Sequence, residues 1–450
     1  MDKIVKTGRR PAAKAAKSAK LNVAKGALTK IEPAKIEPAK LEAAHDIAEK
    51  IAHPLVQHPH GHHKQKHKSH KHGHRPPFET IALLLQGGGA LGSYQAGVYE
   101  ALSEAGIHPD WIAGISIGAV NSAIIAGNPP ETRVEKLRAF WESITTPSVH
   151  DWLKEFEAFG FKGEYARSFS NQLAAMNALI AGASEFFRPR FPPPHFQPPG
   201  SIDAISFYDL ADLRGTLERL VDFDRINSGE TRLSVGAVNV RSGNFVYFDS
   251  NTHTIKPEHI MASGALPPGF PAIEIEGEYY WDGGLISNTP LQWVLESSPR
   301  RDTLCFQIDL WSAHGEFPDT IDEALVRIKE IQYSSRTRAN TDNFKRMQHV
   351  RAALSKLLTQ LPESAKGTPE YELLHSLADH KVYNIVHLIY RAKHHEGHSK
   401  DYEFSRQTMK DHWESGYHDA VRTLRHPELF ERPQGRSGVA SFDLAIDGRE

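Results

Sequence analysis

Ile81-Ala-Leu-Leu-Leu-Gln-Gly-Gly-Gly-Ala-Leu-Gly92 and, further on, Trp111-Ile-Ala-Gly-Ile-Ser-Ile-Gly118 are the stretches whose reading decides the fold. Each opens as a short, continuously apolar run and stops at glycine, the pattern of a strand buried on both faces of a sheet. Between them Tyr94 to Ala105 reads as a helix. Strand, helix, strand at this spacing argues for an α/β sheet with helices on both faces. Working outward, Leu233 to Val238, Phe245 to Phe248 and Leu304 to Leu310 are further candidate strands. Ile273 to Trp281 reads as a hairpin around Glu276-Gly277.

The second stretch contains a GxSxG, Gly114 to Gly118, followed by a small-residue helical run (Ala119, Val120, Ser122, Ala123, Ala126). Strand, turn and helix are the context of a nucleophile elbow. Its sharp turn strains the serine, and glycine at the flanking positions lets strand and helix approach. Ser116 would then project from a helix N-terminus, where the dipole favours a developing negative charge. A glycine-rich turn whose serine only caps the helix has the same local pattern.

Gly87 to Gly92 is a literal GxGxxG, so a dinucleotide site has to be weighed. That fingerprint needs an acidic residue at the far end of the second strand. Asp110 precedes that strand, and its far end carries Ser116 instead. Consecutive glycines also suit an oxyanion hole, because several backbone N–H groups can aim at one point. Asp282-Gly283-Gly284 follows the hairpin strand. A carboxylate on a tight glycine turn can approach a serine and take its proton, although Asp-Gly pairs also make ordinary turns.

A glycine-rich turn after the first strand, then GxSxG, then a distant DGG resemble the patatin-like phospholipase family of serine lipid acyl hydrolases, over about Ile81 to Leu310. The resemblance implies a three-layer α/β/α fold and a Ser–Asp dyad without histidine. It assigns Ser116 as nucleophile, Asp282 as base and the backbone of Gly87, Gly88 and Gly89 as oxyanion hole. Gly92, Gly114, Gly118, Gly283 and Gly284 support the motifs, and neither metal nor cofactor is implied. Many relatives carry Arg or Lys where this chain has Leu91, a loss expected to be tolerated because the donors are backbone groups. Ala262 to Pro271 resembles a family segment expected to shape the pocket wall. The expected substrate is a lipid acyl ester. One alternative is an α/β-hydrolase with a Ser-Asp-His triad using a downstream histidine such as His314. Another is a catalytically dead lipid-binding scaffold. A carboxylate base near its ordinary pKa of about 4 would leave activity flat through pH 6–7.

Residues 151–200 read as an insertion over the site, with eight phenylalanines, among them Phe156, Phe159, Phe186, Phe187 and Phe191, and an extended Pro192-Pro-Pro194. They suit either an acyl-binding lid or a satellite core. Residues 311–450 read as a mainly helical extension. Its stripes (Ile321, Leu325, Ile328; Phe344, Met347, Val350, Leu354, Leu357; Trp413, Tyr417, Val421, Leu424) are expected packing faces, and Thr320 with Glu323 has capping-box spacing. Tyr402 to Arg406 and Trp413 to His426 resemble an extension of some bacterial patatin-like proteins.

The chain has 450 residues, 40% hydrophobic and 24% charged, which excludes a wholly disordered or fibrous protein. Its charge is segregated: residues 1–77 hold 17 Lys/Arg against 6 Asp/Glu, and the rest 36 against 49. That basic segment carries a near-repeat at Lys30, Lys35 and Lys40 and a His/Lys tract from His58 to His74. It is expected to be disordered, with transient helix over 40–52, and to contact anionic membrane. A nucleic-acid- or lipid-binding protein that uses this segment is a further alternative, but nucleic acid is not the expected partner, because a polycation binds any polyanion with little specificity. The His/Lys tract lacks the spacing of a structural zinc site. Cys305 stands alone, so no internal disulfide forms and a reducing compartment is favoured. No apolar run reaches the roughly 18 residues of a membrane span, and no apolar leader follows Met1. A bacterial cytoplasm with peripheral membrane contact is the expected setting.

Overall fold

The computed structural model describes residues 75–146, 164–392, 396–435 and 438–444. Apart from 75–77, the basic segment lies outside the described residues, as do Phe156 and Phe159. The strands are β1 (Thr80–Leu85), β2 (Trp111–Gly114), β3 (Arg188–Pro189), β4 (Tyr208–Asp209), β5 (Arg232–Asn239), β6 (Phe245–Asp249), β7 (Ile273–Ile275), β8 (Glu278–Asp282), β9 (Thr303–Asp309), β10 (Tyr383–Ile389) and β11 (Val439–Phe442). Among the described residues, nine of them form one sheet in the order β11-β10-β9-β1-β2-β5-β8-β7, with β6 also on β5. From β11 to β5 every neighbour is parallel, and β6, β7 and β8 close that edge antiparallel. The β7–β8 turn is Glu276-Gly277, with φ of 53° and 83°, the two left-handed residues a tight hairpin demands.

The helices used below are α1 (Ser93–Glu104), α2 (Ile117–Ala126), α3 (Arg133–Ile144), α4 (Glu164–Ala181), α5 (Pro257–Ser263), α6 (Ile321–Leu358) and α7 (Arg406–Thr423). Side chains of β1 divide between two cores. Ile81, Leu83 and Leu85 join the core that also holds residues of α1, α2, α3 and α7. Ala82 and Leu84 join Phe344 of α6 and Leu291, Val294 and Leu295 on the opposite face. Alternate residues burying on both sides make three layers, and they explain why the central strands read as unbroken apolar runs.

The division expected at residue 310 is not a division of the packing. Residues 311–450 are mainly helical, yet they supply β10 and β11, and β10 lies along β9 from Tyr383 beside Thr303 to Ile389 beside Asp309. Helix α7 lies directly on α1. A Cβ on Gly97 would stand 1.9 Å from the Trp413 carbonyl oxygen, and one on Gly416 would stand 2.0 Å from that of Tyr94, so the two backbones touch through paired glycines. The Trp413 stripe packs there.

The two other helical stripes are corrected. Of their members, Phe344 is buried and Leu354 half-buried, whereas Ile321 is 81% exposed and Leu325, Ile328, Met347, Val350 and Leu357 are exposed too. At 38 residues α6 runs about 57 Å, and these six apolar side chains lie uncovered along it. Its start does follow the sequence: the Thr320 hydroxyl accepts from the Glu323 N–H at 3.2 Å.

Candidate active site

Ser116 is the N-cap of α2 with φ 57° and ψ −125°, a left-handed conformation that costs a non-glycine residue about 1–3 kcal/mol. Its neighbours make that turn fit. A Cβ on Gly114 would lie 2.3 Å from the Gly118 carbonyl oxygen, and one on Gly118 would lie 2.2 Å from that of Leu85. The Ser116 N–H donates to Ser263 Oγ at 3.0 Å, and that hydroxyl donates to the Gly236 carbonyl at 2.7 Å. Buried Ser263, at the end of α5, thereby ties the elbow to β5.

Asp282 ends β8, fully buried, and caps the short turn that follows by accepting the Gly284 N–H at 2.7 Å. Burial pushes its carboxyl up to about 7, against the opposing pull of hydrogen bonds from the Ser116 side chain and the Gly284 N–H. Serine and aspartate, 166 positions apart in the chain, therefore meet.

The three loop glycines are not equivalent. The Gly87 N–H donates to the Asn288 carbonyl at 3.4 Å, while the Gly87 carbonyl accepts from Asn288 Nδ2 and from Trp311 Nε1, each at 3.0 Å. Gly87, expected with Gly88 and Gly89 to form the oxyanion hole, is thus fastened at both ends, its N–H engaged by the Asn288 main-chain carbonyl. Within the described chain the N–H groups of Gly88 and Gly89 donate to nothing. Gly89 takes φ 56°, and a Cβ there would meet the Asp401 carbonyl oxygen at 2.0 Å. Leu91 is buried in the core and lines no part of the cavity.

Around these groups lies a cavity of about 230 Å³ touching Gly87, Gly88, Gly89, Ser116 and Asp282. Its walls are mostly apolar. Phe186 and Phe187 line it and stack edge-on with Phe404, at ring separations of 5.9 Å each. The insertion thus serves as cavity wall and core at once at these two rings, while Phe191 points out to solvent. Pro193 is extended, but Pro194–Phe196 turn into a short 3-10 helix. Gly264, Leu266, Gly269 and Phe270 come from the 262–271 segment, and Tyr333, Asp401, Tyr402 and Phe404 from the extension. Among the described residues no histidine lines this cavity. His314 lines a second one of about 210 Å³, together with Asp309, His387 and Lys345. Asp110 sits at the opposite end of β1, where its carboxylate accepts the Ile81 N–H at 2.7 Å, out of reach of the glycine loop.

Sequence reasoning missed the residues that fasten the loop. Gln86 Oε1 accepts from the N–H groups of Leu310 and Trp311, at 2.7 and 3.0 Å, and its Nε2 donates to Thr289 Oγ1 at 3.0 Å. A buried polar residue closing an apolar strand is the signal that marked it. Asn288 left only its closeness to the DGG turn. Because the Asn288 side chain holds the Gly87 carbonyl at 3.0 Å, Asn288→Ala is expected to lower kcat about 10- to 100-fold with little change in KM, measured as initial rates on a soluble ester.

A family model described as patatin-like phospholipase matches residues 83–294, and one described as patatin phospholipase matches residues 331–436. Over 67 residues the chain is 40% identical to patatin-like phospholipase domain-containing protein 6 of Homo sapiens, which is 15% of this chain and 5% of that one. Over 47 residues it is 55% identical to lysophospholipase nte1 of Aspergillus terreus, 10% of this chain and 3% of that one. The match thus spans only a small part of these curated relatives. Among solved structures, VipD from Legionella pneumophila aligns over 82% of this chain and 72% of its own, at 15% identity and a TM-score of 0.35. The type III effector ExoU aligns over 79% and 54%, at 12% identity and a TM-score of 0.29.

Proposed function

We propose that this chain, which belongs to the patatin-like phospholipase family, hydrolyses carboxylic esters of lipids through a Ser116–Asp282 dyad. The observation that carries the reading is the meeting of a strained serine, a buried carboxylate and two undonated glycine N–H groups in one apolar cavity. Ser116 Oγ attacks the ester carbonyl carbon as Asp282 takes the hydroxyl proton. The carbonyl oxygen becomes an oxyanion, held by the N–H groups of Gly88 and Gly89 and favoured by the N-terminus of α2. Collapse breaks the bond to the leaving alkoxide, which recovers its proton from Asp282 and departs as alcohol. Water then gives a proton to Asp282 and attacks the acyl-enzyme, and the carboxylic acid leaves as Ser116 regains its proton. Esters of graded acyl length, assayed with the wild type and with Ser116→Ala, test the reading and rank the substrates. Contact of the +11 segment 1–77 with anionic lipid in a bacterial cytoplasm belongs to the same proposal and rests on its charge.

The elevated carboxyl alters the expected pH dependence. A base is competent only when deprotonated, so with Asp282 near 7 the acid limb of kcat/KM is expected to fall below about pH 7. A flat profile is no longer the signature of a dyad here. Rates of a soluble, non-ionising ester between pH 5 and 9 measure the midpoint, and a profile level down to pH 5 would exclude this environment for the base.

A further inference from the structure

Helix α4 is amphipathic the wrong way round for a packed helix. Its inward face is small, with Ala174, Ala175 and Ala178 buried. Its outward face is large and apolar: Phe169, Leu173, Met176 and Ile180 follow one another at spacings of four, three and four residues, each between 38% and 71% exposed. A helix docked on a core would turn these side chains inward. From Ser168 to Ala183 there is no charged residue. Beside the helix stands the loop that carries Phe191, 94% exposed, and Phe196, 80% exposed. Strand β4 joins the two: Tyr208 Oη donates to the Leu179 carbonyl at 2.8 Å, and the N–H of Arg190, next to Phe191, donates to the Phe207 carbonyl at 3.0 Å.

This face is continuous with the catalytic cavity. Ala178 and Leu179 line that cavity, and Leu179 is also half open to solvent, so one apolar surface runs from the outside of α4 to the chamber holding Ser116. No helix of the described residues is long and apolar enough to cross a membrane. A broad exposed apolar face marks a contact with a partner or a membrane, and one that is free of charge and opens into an apolar cavity suits a lipid surface. Resting on the lipid reading of the cavity, we propose that the outer face of α4 and the Phe191–Phe196 loop insert into a bilayer surface. The acyl chain of a lipid then passes from that surface to Ser116 along Leu179 without crossing water.

The test separates binding from catalysis. Full-length Ser116→Ala is titrated with zwitterionic phosphatidylcholine vesicles at high salt, which screens the contribution of the basic segment. It is compared with the same protein carrying Phe169→Glu, Met176→Glu and Ile180→Glu, and with one carrying Phe191→Glu and Phe196→Glu. All five positions are exposed, and circular dichroism checks folding. Vesicle partitioning is expected to fall about tenfold or more in both. In the Ser116 background, hydrolysis of vesicle lipid should fall alike while that of a short, soluble ester is unchanged. Unaltered partitioning overturns the proposal, as does an equal loss on the soluble ester, which would make the face a support of the cavity. So does a vesicle-free dimer that the substitutions dissociate, which would make it a contact between copies. If no ester is hydrolysed by any form but partitioning still falls, the docking surface stands and the catalytic reading fails.

Discussion

Ser116→Ala is expected to abolish turnover of a soluble ester, with kcat falling by at least about 10⁴-fold, in a protein that remains folded. Acylation needs the Oγ lone pair at this position, and no other serine lines the cavity among the described residues. Alanine keeps the backbone at φ 57° and therefore keeps its strain. Glycine does not, so Ser116→Gly is expected to be equally inactive and about 1 kcal/mol more stable than the alanine variant. Initial rates together with thermal denaturation check both statements. Undiminished turnover by a folded Ser116→Ala protein would remove Ser116 as the nucleophile.

The second large effect belongs to Asp282→Asn. If the carboxylate takes the serine proton directly, the amide cannot replace it, and acylation is expected to fall by about 10⁴-fold. His314→Ala and His387→Ala should come nowhere near that loss, since neither ring lines the cavity of Ser116. In a triad the carboxylate only orients a histidine, and a histidine knockout would be at least as damaging. One histidine substitution as severe as Asp282→Asn, in a folded protein, would replace the dyad by a triad.

Stability supplies an independent check on the same variant. A carboxyl whose folded pKa lies above its unfolded value contributes stability that is complete below about pH 4 and is lost as pH rises towards 7. Above that, the wild type carries the full cost of a buried charge, on the order of a few kcal/mol. Asp282→Asn removes the cost, so the variant should be more stable than wild type at pH 8 and should lose that advantage towards pH 4. Thermal melts at the two pH values measure this. An inactive but stabilised protein separates a lost base from a lost fold.

Much of the sheet and of the candidate site was legible because its signals are local. β1, β2, β5 and β9 appear as apolar runs, since a strand buried on both faces has few polar alternate positions, and β6 shows through its aromatic and β-branched residues. Ser116 announces itself through the glycines that its turn requires on either side. β10 went unread because Asn384 and His387 interrupt the apolar residues of Tyr383 to Ile389 and because the segment lies between helical patterns that set the reading of the whole extension. The stripes of α6 misled for the opposite reason: helical periodicity states that one face is apolar and says nothing about whether anything covers it.

Local chemistry therefore determined which segments become strands, where the chain turns sharply and which serine and aspartate stand at those turns. Tertiary structure alone decided which glycine N–H is spent and which are left undonated, because Asn288, which ties down Gly87, lies 201 positions away. It also raised Asp282 to about 7, since desolvation depends on every segment that closes over the carboxylate. And it left the large face of α4 turned outward, beside the mouth of a cavity whose walls come from the whole length of the described chain. Backbone propensity and hydrophobic period act over a few residues; hydrogen-bond commitment, burial and exposure are properties of the packed whole.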